Sequence, residues 1–184
     1  MTKCAICRDE YAKWSMSQKV CGKVECAQAF ARKTILKIEQ KARKAEALAI
    51  HERKMDLQPR RYWIHKAQLY FNRYIRMRDK DQPCISCGSA LQANKFGGSV
   101  DAGHYRSVGS AKHLEFDPMN VHAQCKRCNR DLSGNHSEYR KGLIERIGLG
   151  NVEWLEANQT PRKFSITELK ELILIYKTKW EELQ

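Results

Sequence analysis

Eight cysteines form four close pairs, and these pairs are the strongest chemical signal in the sequence. In a reducing compartment, paired Cys-x-x-Cys units more often hold zinc than form disulfides. Four thiolates at about 2.3 Å from a zinc ion complete a tetrahedral site. The sequence therefore predicts two structural zinc sites, whose ligands are Cys4, Cys7, Cys21 and Cys26 in the first and Cys84, Cys87, Cys125 and Cys128 in the second.

A closed four-cysteine site has no open coordination position, so any chemistry has to come from other residues. Asp101 and His104 lie between the two C-terminal cysteine pairs, and Asn129 follows the second pair. An imidazole titrates near neutral pH and suits a general base. Carboxylate and amide oxygens suit Mg²⁺ or Mn²⁺. This set predicts phosphodiester hydrolysis, with His104 as the base and Asp101 and Asn129 as ligands of a catalytic ion.

The placement of Asp101 and His104 in one catalytic site has alternatives, because residues three apart on a strand point to opposite faces. A bulge or turn at Gly103 would bring the two side chains together. Otherwise His104 itself binds the metal, and His122 or His113 supplies the base. For His122, packing beside the zinc turn is the favoured interpretation.

The chain carries 34 Lys plus Arg against 21 Asp plus Glu, a formal net charge of +13. Such a surplus indicates a polyanionic partner, most simply a nucleic-acid backbone. Residues 24 to about 57 lack Gly and Pro and have few large apolar residues, which predicts a long helix with a basic face. The predicted phosphate contacts are Lys33, Lys37, Lys41, Arg43, Lys44, Arg53, Lys54, Arg106, Lys126 and Arg127.

The alternatives for this long helix are a solvated linker or a weak coiled-coil contact between two copies. A second helix is predicted after Pro59, with an aromatic face suited to core packing. The turn-rich residues 80–136 predict short strands. We then expect one helix that ends at Gly148, a short helix capped by Asn151 and a last helix opened by a capping box at Ser165.

The predicted fold is α+β and mainly helical, with a small N-terminal zinc cluster, a long basic helix, a zinc-stapled ββα core and C-terminal helices. The expected divisions are a zinc-binding segment at 1–30, a basic helical linker at 31–58 and a catalytic domain with C-terminal helices at 59–184. No signal peptide and no apolar run of about 18 residues is evident. We therefore expect a cytoplasmic protein without a membrane partner.

The order of cysteine pair, His, Asn, cysteine pair and Asn resembles HNH nucleases whose ββα-metal core is stapled by zinc. An Asn directly after the second Cys-x-x-Cys, as Asn129 is, resembles phage endonuclease VII. Nearly the whole chain resembles the lambda NinG (Rap) recombination-protein family. The most specific stretches are Pro-Arg-Arg-Tyr-Trp-Ile (59–64), Pro-Cys-Ile-Ser-Cys-Gly (83–88), Asp-Ala-Gly-His-Tyr-Arg (101–106) and the run from Cys-Asn to Ser-Gly-Asn (128–135).

This resemblance implies a structure-specific DNA endonuclease of phage recombination that cuts D-loops and Holliday junctions. It implies that His104 is the general base, that Asn120 braces the loop that presents the base, and that Asn129 binds metal. Many HNH sites place the metal ligand directly before the base, whereas here Gly103 stands there and Asp101 lies two residues earlier.

Several partners follow from the same resemblance. Branch recognition commonly uses a two-fold dimer, so we expect a homodimer. Other recombination proteins, of the phage or of its bacterial host, are further expected partners, and the host cytoplasm is the expected location.

Two other functions fit the same residues. One is a zinc-containing DNA-binding or regulatory protein that does not cut, and the other is a zinc-stapled RNA-binding factor. Metal-dependent nicking of junctions, D-loops or duplex, abolished by EDTA, separates the enzyme from both.

Overall fold

The computed structural model describes residues 1–91 and 100–184, and the chain divides into two compact units, Met1–Gln58 and Pro59–Gln184. The described residues are mainly helical, as the composition predicts, and each unit contains one four-cysteine cluster. In these described ranges, no helix is both long and apolar enough to cross a bilayer.

The first unit consists of a small cysteine-rich turn region and one long helix. The strands β1 (Thr2–Lys3) and β2 (Glu10–Tyr11) pair antiparallel. Helix α1 (Val24–Asp56) follows, which confirms the long helix predicted from the absence of Gly and Pro. Every residue from Ala31 to Lys54 is exposed, so most of α1 has no apolar core against which to pack.

The second unit begins with α2 (Arg60–Arg78), the predicted second helix. Its buried face repeats every fourth residue through Trp63, Ala67, Phe71 and Ile75. Helix α5 (Ile166–Glu181) packs against this face, with the rings of Phe71 and Tyr176 at 4.8 Å. The predicted capping box at the start of α5 is present.

A β-hairpin lies between these two helices in the sequence. Strand β3 (Val100–His104) pairs antiparallel with β4 (Val121–Cys125), in an unbroken register from Val100↔Cys125 to His104↔Val121. The connection between the strands includes a 3₁₀ turn at Lys112–Leu114. Because side chains alternate along a strand, Asp101 and Gly103 share one face of the hairpin and His104 lies on the other.

A π-helical turn (Arg127–Asp131) follows β4, and then come α3 (His136–Ile147) and α4 (Leu149–Ala157). Helix α3 ends at Gly148 with a φ of +83°, as predicted. The predicted cap of α4 at Asn151 is wrong. Asn151 lies inside the helix, and its amide donates to the Ile147 carbonyl at 2.7 Å, because Gly148 already serves as the N-cap.

Helix α3 lies with its backbone directly against the turn that carries the third cysteine pair. A Cβ atom at Gly142 would lie 2.0 Å from the Ile85 carbonyl oxygen, so a larger residue there would push the helix away. The surrounding core consists of Ile85, Tyr105, Ala111, Leu114, Tyr139, Leu143, Val152 and Leu155.

Candidate functional site

The C-terminal four-cysteine cluster joins the turn after α2 to the end of β4. Cys84 and Cys87 lie in that turn, Cys125 ends β4 and Cys128 lies in the π-helical turn. Their Sγ atoms lie within 4.8 Å of one another, a spacing that could hold one zinc ion. The predicted grouping is confirmed, and four thiolates would leave such an ion no open position.

Hydrogen bonds reach the sulfur atoms of this cluster. The backbone amide of Cys125 donates to Cys84 Sγ at 3.3 Å, and the Ser89 hydroxyl lies 3.0 Å from Cys87 Sγ. Burial raises the pKa of the Cys87 thiol, but hydrogen bonds from Ser89 outweigh it and lower the pKa to about 6. The bonds from Ser89 favour the thiolate at Cys87, which is the form that binds zinc, whereas burial raises the pKa values of Cys125 and Cys128.

The turn between Cys84 and Cys87 closes through two backbone hydrogen bonds. Gly88 donates to the Cys84 carbonyl at 3.0 Å, and Cys84 donates to the Ser89 carbonyl at 2.9 Å. Gly88 has a φ of +66°, a left-handed conformation that glycine adopts without strain.

The N-terminal cluster repeats this turn with a different residue at the left-handed position. Arg8 has a φ of +65° and donates to the Cys4 carbonyl at 3.0 Å, while Cys4 donates to the Asp9 carbonyl at 2.9 Å. The four sulfur atoms again lie within 4.8 Å of one another, as predicted for Cys4, Cys7, Cys21 and Cys26.

The structure brings Asp101 and Asn129 together. The Asn129 amide donates to Asp101 Oδ2 at 3.0 Å, and the Arg130 guanidinium donates to both carboxylate oxygens, at 2.7 and 2.9 Å. Burial raises the pKa of Asp101, but the hydrogen bonds from Arg130 and Asn129 outweigh it, so the pKa is lowered. Asp101 is therefore an ionised carboxylate held beside the second cysteine pair.

The imidazole of His104 is held from one side. Its Nε2 lies 3.0 Å from the Glu115 carbonyl oxygen, which can only accept, so Nε2 carries the proton and Nδ1 carries the lone pair. Burial lowers the pKa of His104 more than the bond to Glu115 raises it. The ring is therefore neutral at pH 7, with Nδ1 as its basic atom.

Asn120 is fully buried and braces the connection that follows His104. Its Oδ1 accepts from the Arg106 amide at 2.8 Å, and its Nδ2 donates to the carbonyls of Arg106 and Leu114 at 3.0 and 3.1 Å. These bonds fit the bracing role that the family resemblance implies for Asn120, and that role stays a prediction.

The structure does not bring Asp101 and His104 onto one face. The register of β3 is unbroken through Gly103, so the bulge or turn that would have joined them is absent from this strand. Among the described residues, the groups of three or more Cys, His, Asp or Glu ligand atoms are the two cysteine clusters.

The two alternative histidines have structural partners. His122 is buried opposite Gly103, and its pKa is lowered to about 3, first by burial and then by the charge of Arg78. His113 Nε2 lies 2.9 Å from the Asn158 carbonyl oxygen, to which it donates. These contacts agree with a packing role for His122.

Gln124 is a buried polar residue that the sequence analysis missed. Its amide donates to the Ser86 hydroxyl at 2.7 Å and to the Gly134 carbonyl at 2.6 Å, and so joins the turns that carry the two C-terminal cysteine pairs. A Cβ atom at Gly103 would lie 2.2 Å from Gln124 Oε1, which explains the glycine beside the candidate base. The sequence signal that could have predicted these contacts is a glutamine inside the run Val-His-Ala-Gln-Cys (121–125).

The predicted phosphate contacts differ in their surroundings. Those on α1 are exposed, as is Arg127, whereas Lys126 is half-buried. Arg106 donates to the carbonyls of Leu155 and Asn158 at 2.9 and 2.6 Å, so its guanidinium holds the end of α4. Arg130, which was not predicted, is exposed and lies at the candidate site.

The fold and the site define a mainly helical protein with two four-cysteine clusters, one at the start of a long basic helix and one at the end of a hairpin, each of which could hold a metal ion. More particularly, the chain belongs to the bacteriophage lambda NinG protein family, whose model matches residues 1–184.

Curated relatives named protein ninG share this similarity. The chain is 43% identical to those of Salmonella phage P22 and Escherichia phage lambda, and 42% identical to that of Escherichia phage 933W, each over 132 residues. These matches cover 72% of this chain and 62 to 63% of the relatives, so the chain spans less than two thirds of their length. No solved structure matches the chain at a significant level.

Proposed function

We propose that the chain is a metal-dependent DNA endonuclease of the HNH type that acts on branched DNA in phage recombination. The observation that carries the proposal is the contact between the ionised Asp101, on the strand that ends at His104, and Asn129, in the turn that carries the last cysteine. Carboxylate and amide oxygens together with a neutral imidazole are the groups that phosphodiester hydrolysis needs.

Strand geometry supports the place of Asp101 in such a site. Residues two apart share a face, so Asp101 lies on the same face as Gly103, the position directly before the candidate base. The Asp101 carboxylate therefore lies on the same face of the strand as the metal ligand that many HNH nucleases place directly before the base.

The donor set fits a hard divalent ion. Mg²⁺ uses one or two protein carboxylates, keeps several waters and takes further oxygens from phosphate, so Asp101 and the Asn129 amide oxygen are a sufficient protein contribution. The ion would polarise the phosphate and stabilise the leaving oxygen. Arg130 now occupies both Asp101 oxygens, and its exposed side chain is free to turn towards a phosphate.

His104 is suited to take a proton from water. The Glu115 carbonyl fixes the ring with Nδ1 unprotonated, and Asn120 holds the connection that contains this carbonyl. The zinc cluster has a structural part in this proposal, since it anchors β4 and the turn that carries Asn129.

A DNA-binding protein that does not cut is the second candidate. It is favoured by the ion pair between Asp101 and Arg130 and by the position of His104 on the opposite face of β3. The exposed basic residues of α1 serve either function, and in both cases DNA affinity falls steeply with salt.

The deciding experiment compares His104→Ala with His65→Ala, which changes an exposed histidine on α2 and serves as the control. Zinc-loaded protein is incubated with a four-way junction, a D-loop and linear duplex in Mg²⁺ or Mn²⁺. His104→Ala should lower the nicking rate by about 10²-fold or more while zinc content and DNA binding stay unchanged, and His65→Ala should cut normally. DNA binding by the wild type without nicking in either metal would establish the non-cutting alternative.

A further inference from the structure

Within the first unit, helix α1 has a long stretch that packs against no other described element. Every residue from Ala31 to Lys54 is exposed, including Ile35 at 55% and Ile38 at 63%. An isolated helix is marginally stable in water, and most helices in proteins are stabilised by packing of one face. The stretch therefore needs a partner for that face.

Six apolar residues of this stretch follow a coiled-coil spacing, whereas Leu36, Ala47, Leu48 and Ile50 lie outside it. From Ala31 onward the steps are four, three, four, three and four residues, which is the alternation of a heptad seam. The seam consists of Ala31, Ile35, Ile38, Ala42, Ala45 and Ala49. Such small residues permit two helices to approach closely.

The charges beside the seam fit a second copy of the same helix in parallel. In a parallel pair, the residue directly before Ile35, Ala42 or Ala49 faces the residue five positions later on the partner helix. Lys41 then faces Glu46 of the second copy, twice by symmetry, and the remaining facing pairs, Thr34 with Glu39 and Leu48 with Arg53, contain no like charges.

The seam leaves the opposite side of α1 available for nucleic acid. Lys33, Lys37, Lys44 and Lys54 lie at positions that face outward in a two-stranded coil. Dimer formation and phosphate contact therefore use different sides of one helix.

We propose that two copies of the chain dimerise through a parallel, in-register coiled coil of α1. The occupant of the exposed seam is a second copy of this chain, and the interface is independent of whether the second unit hydrolyses DNA. Because alanine layers bury little apolar surface, the dimer dissociates on dilution.

The first test measures mass against concentration for the zinc-loaded protein by light scattering and sedimentation. The wild type should approach twice the chain mass at high concentration. Ile38→Lys should raise the dissociation constant at least about tenfold, since it places a charge in the seam. Leu36→Lys changes a residue that is 56% exposed but lies off the seam, and it should leave the constant unchanged.

The second test determines orientation by exchanging charges. Lys41→Glu and Glu46→Lys each place like charges opposite one another in a parallel pair, so each variant alone should dimerise more weakly than the wild type. An equimolar mixture restores opposite charges at both contacts and should form mixed dimers. A wild type that stays monomeric at every concentration, or a mixture no tighter than its components, would overturn the proposal.

Discussion

The two four-cysteine clusters share one turn and differ in what surrounds it. In both, the residue after the second cysteine is left-handed and donates to the carbonyl of the first. The N-terminal cluster lies among two-residue strands and the first turn of α1, whereas the C-terminal cluster contacts a hairpin, α3 and a buried glutamine. A bound metal ion would therefore be the main source of order in the first region. In the second region it would add to an existing hydrophobic core.

Removal of one cysteine ligand from each cluster should have the largest effect and should affect the two regions differently. Cys7→Ser and Cys87→Ser change matched exposed cysteines. Each variant should retain one zinc ion instead of two, measured by native mass spectrometry. Only Cys87→Ser should lower the melting temperature of the second unit, by about 10 °C or more, since it uncouples β4 from the turn after α2.

Hydrogen exchange shows which residues lose amide protection in each variant. Cys7→Ser should remove protection from residues 1–23 and leave the hairpin protected. Equal loss of hairpin protection in Cys7→Ser would mean that the two clusters unfold together and do not differ in their support.

A smaller effect tests the buried contacts that only the second cluster has. Gly103→Ala forces a Cβ atom against Gln124 Oε1 and should cost about 1 to 3 kcal/mol of unfolding free energy, measured by denaturant titration. The control is Gly22→Ala in the first region, where a Cβ atom meets nothing within 4 Å, and it should change stability little. If Gly103→Ala left the free energy of unfolding unchanged, the Gln124 side chain would be able to move aside without cost.

The smallest expected effect concerns the left-handed residue that both cysteine turns contain. Gly88→Ala should weaken the second cluster by about 1 kcal/mol, because a Cβ atom is disfavoured at a φ of +66°. Arg8→Gly relieves the same strain in the first cluster and should strengthen it slightly. Competition with a chromophoric zinc chelator measures both, and changes of the same sign would contradict the shared geometry.

Local sequence signals predicted the helices and the cysteine groupings. The absence of Gly and Pro marked α1, and cysteine spacing marked both clusters, because each signal depends on neighbouring residues. The cap at Asn151 failed because Gly148, three residues earlier, ends one helix and starts the next.

Contacts that depend on strand register were harder to predict. The Arg130 ion pair with Asp101 needs the π-helical turn to return to β3, and the burial of Gln124 needs the pairing of β4 with β3. Arg106 was expected at phosphate but holds the last carbonyls of α4, about 50 residues away in sequence. Such long-range partners leave no local pattern.

The length of α1 sets a distance scale for any duplex lying beside it. Thirty-three residues at 1.5 Å each make a rod of about 50 Å, which matches roughly 15 base pairs. The first cysteine cluster sits at one end of that rod. It therefore lies more than one turn of the double helix from the point where the chain leaves α1.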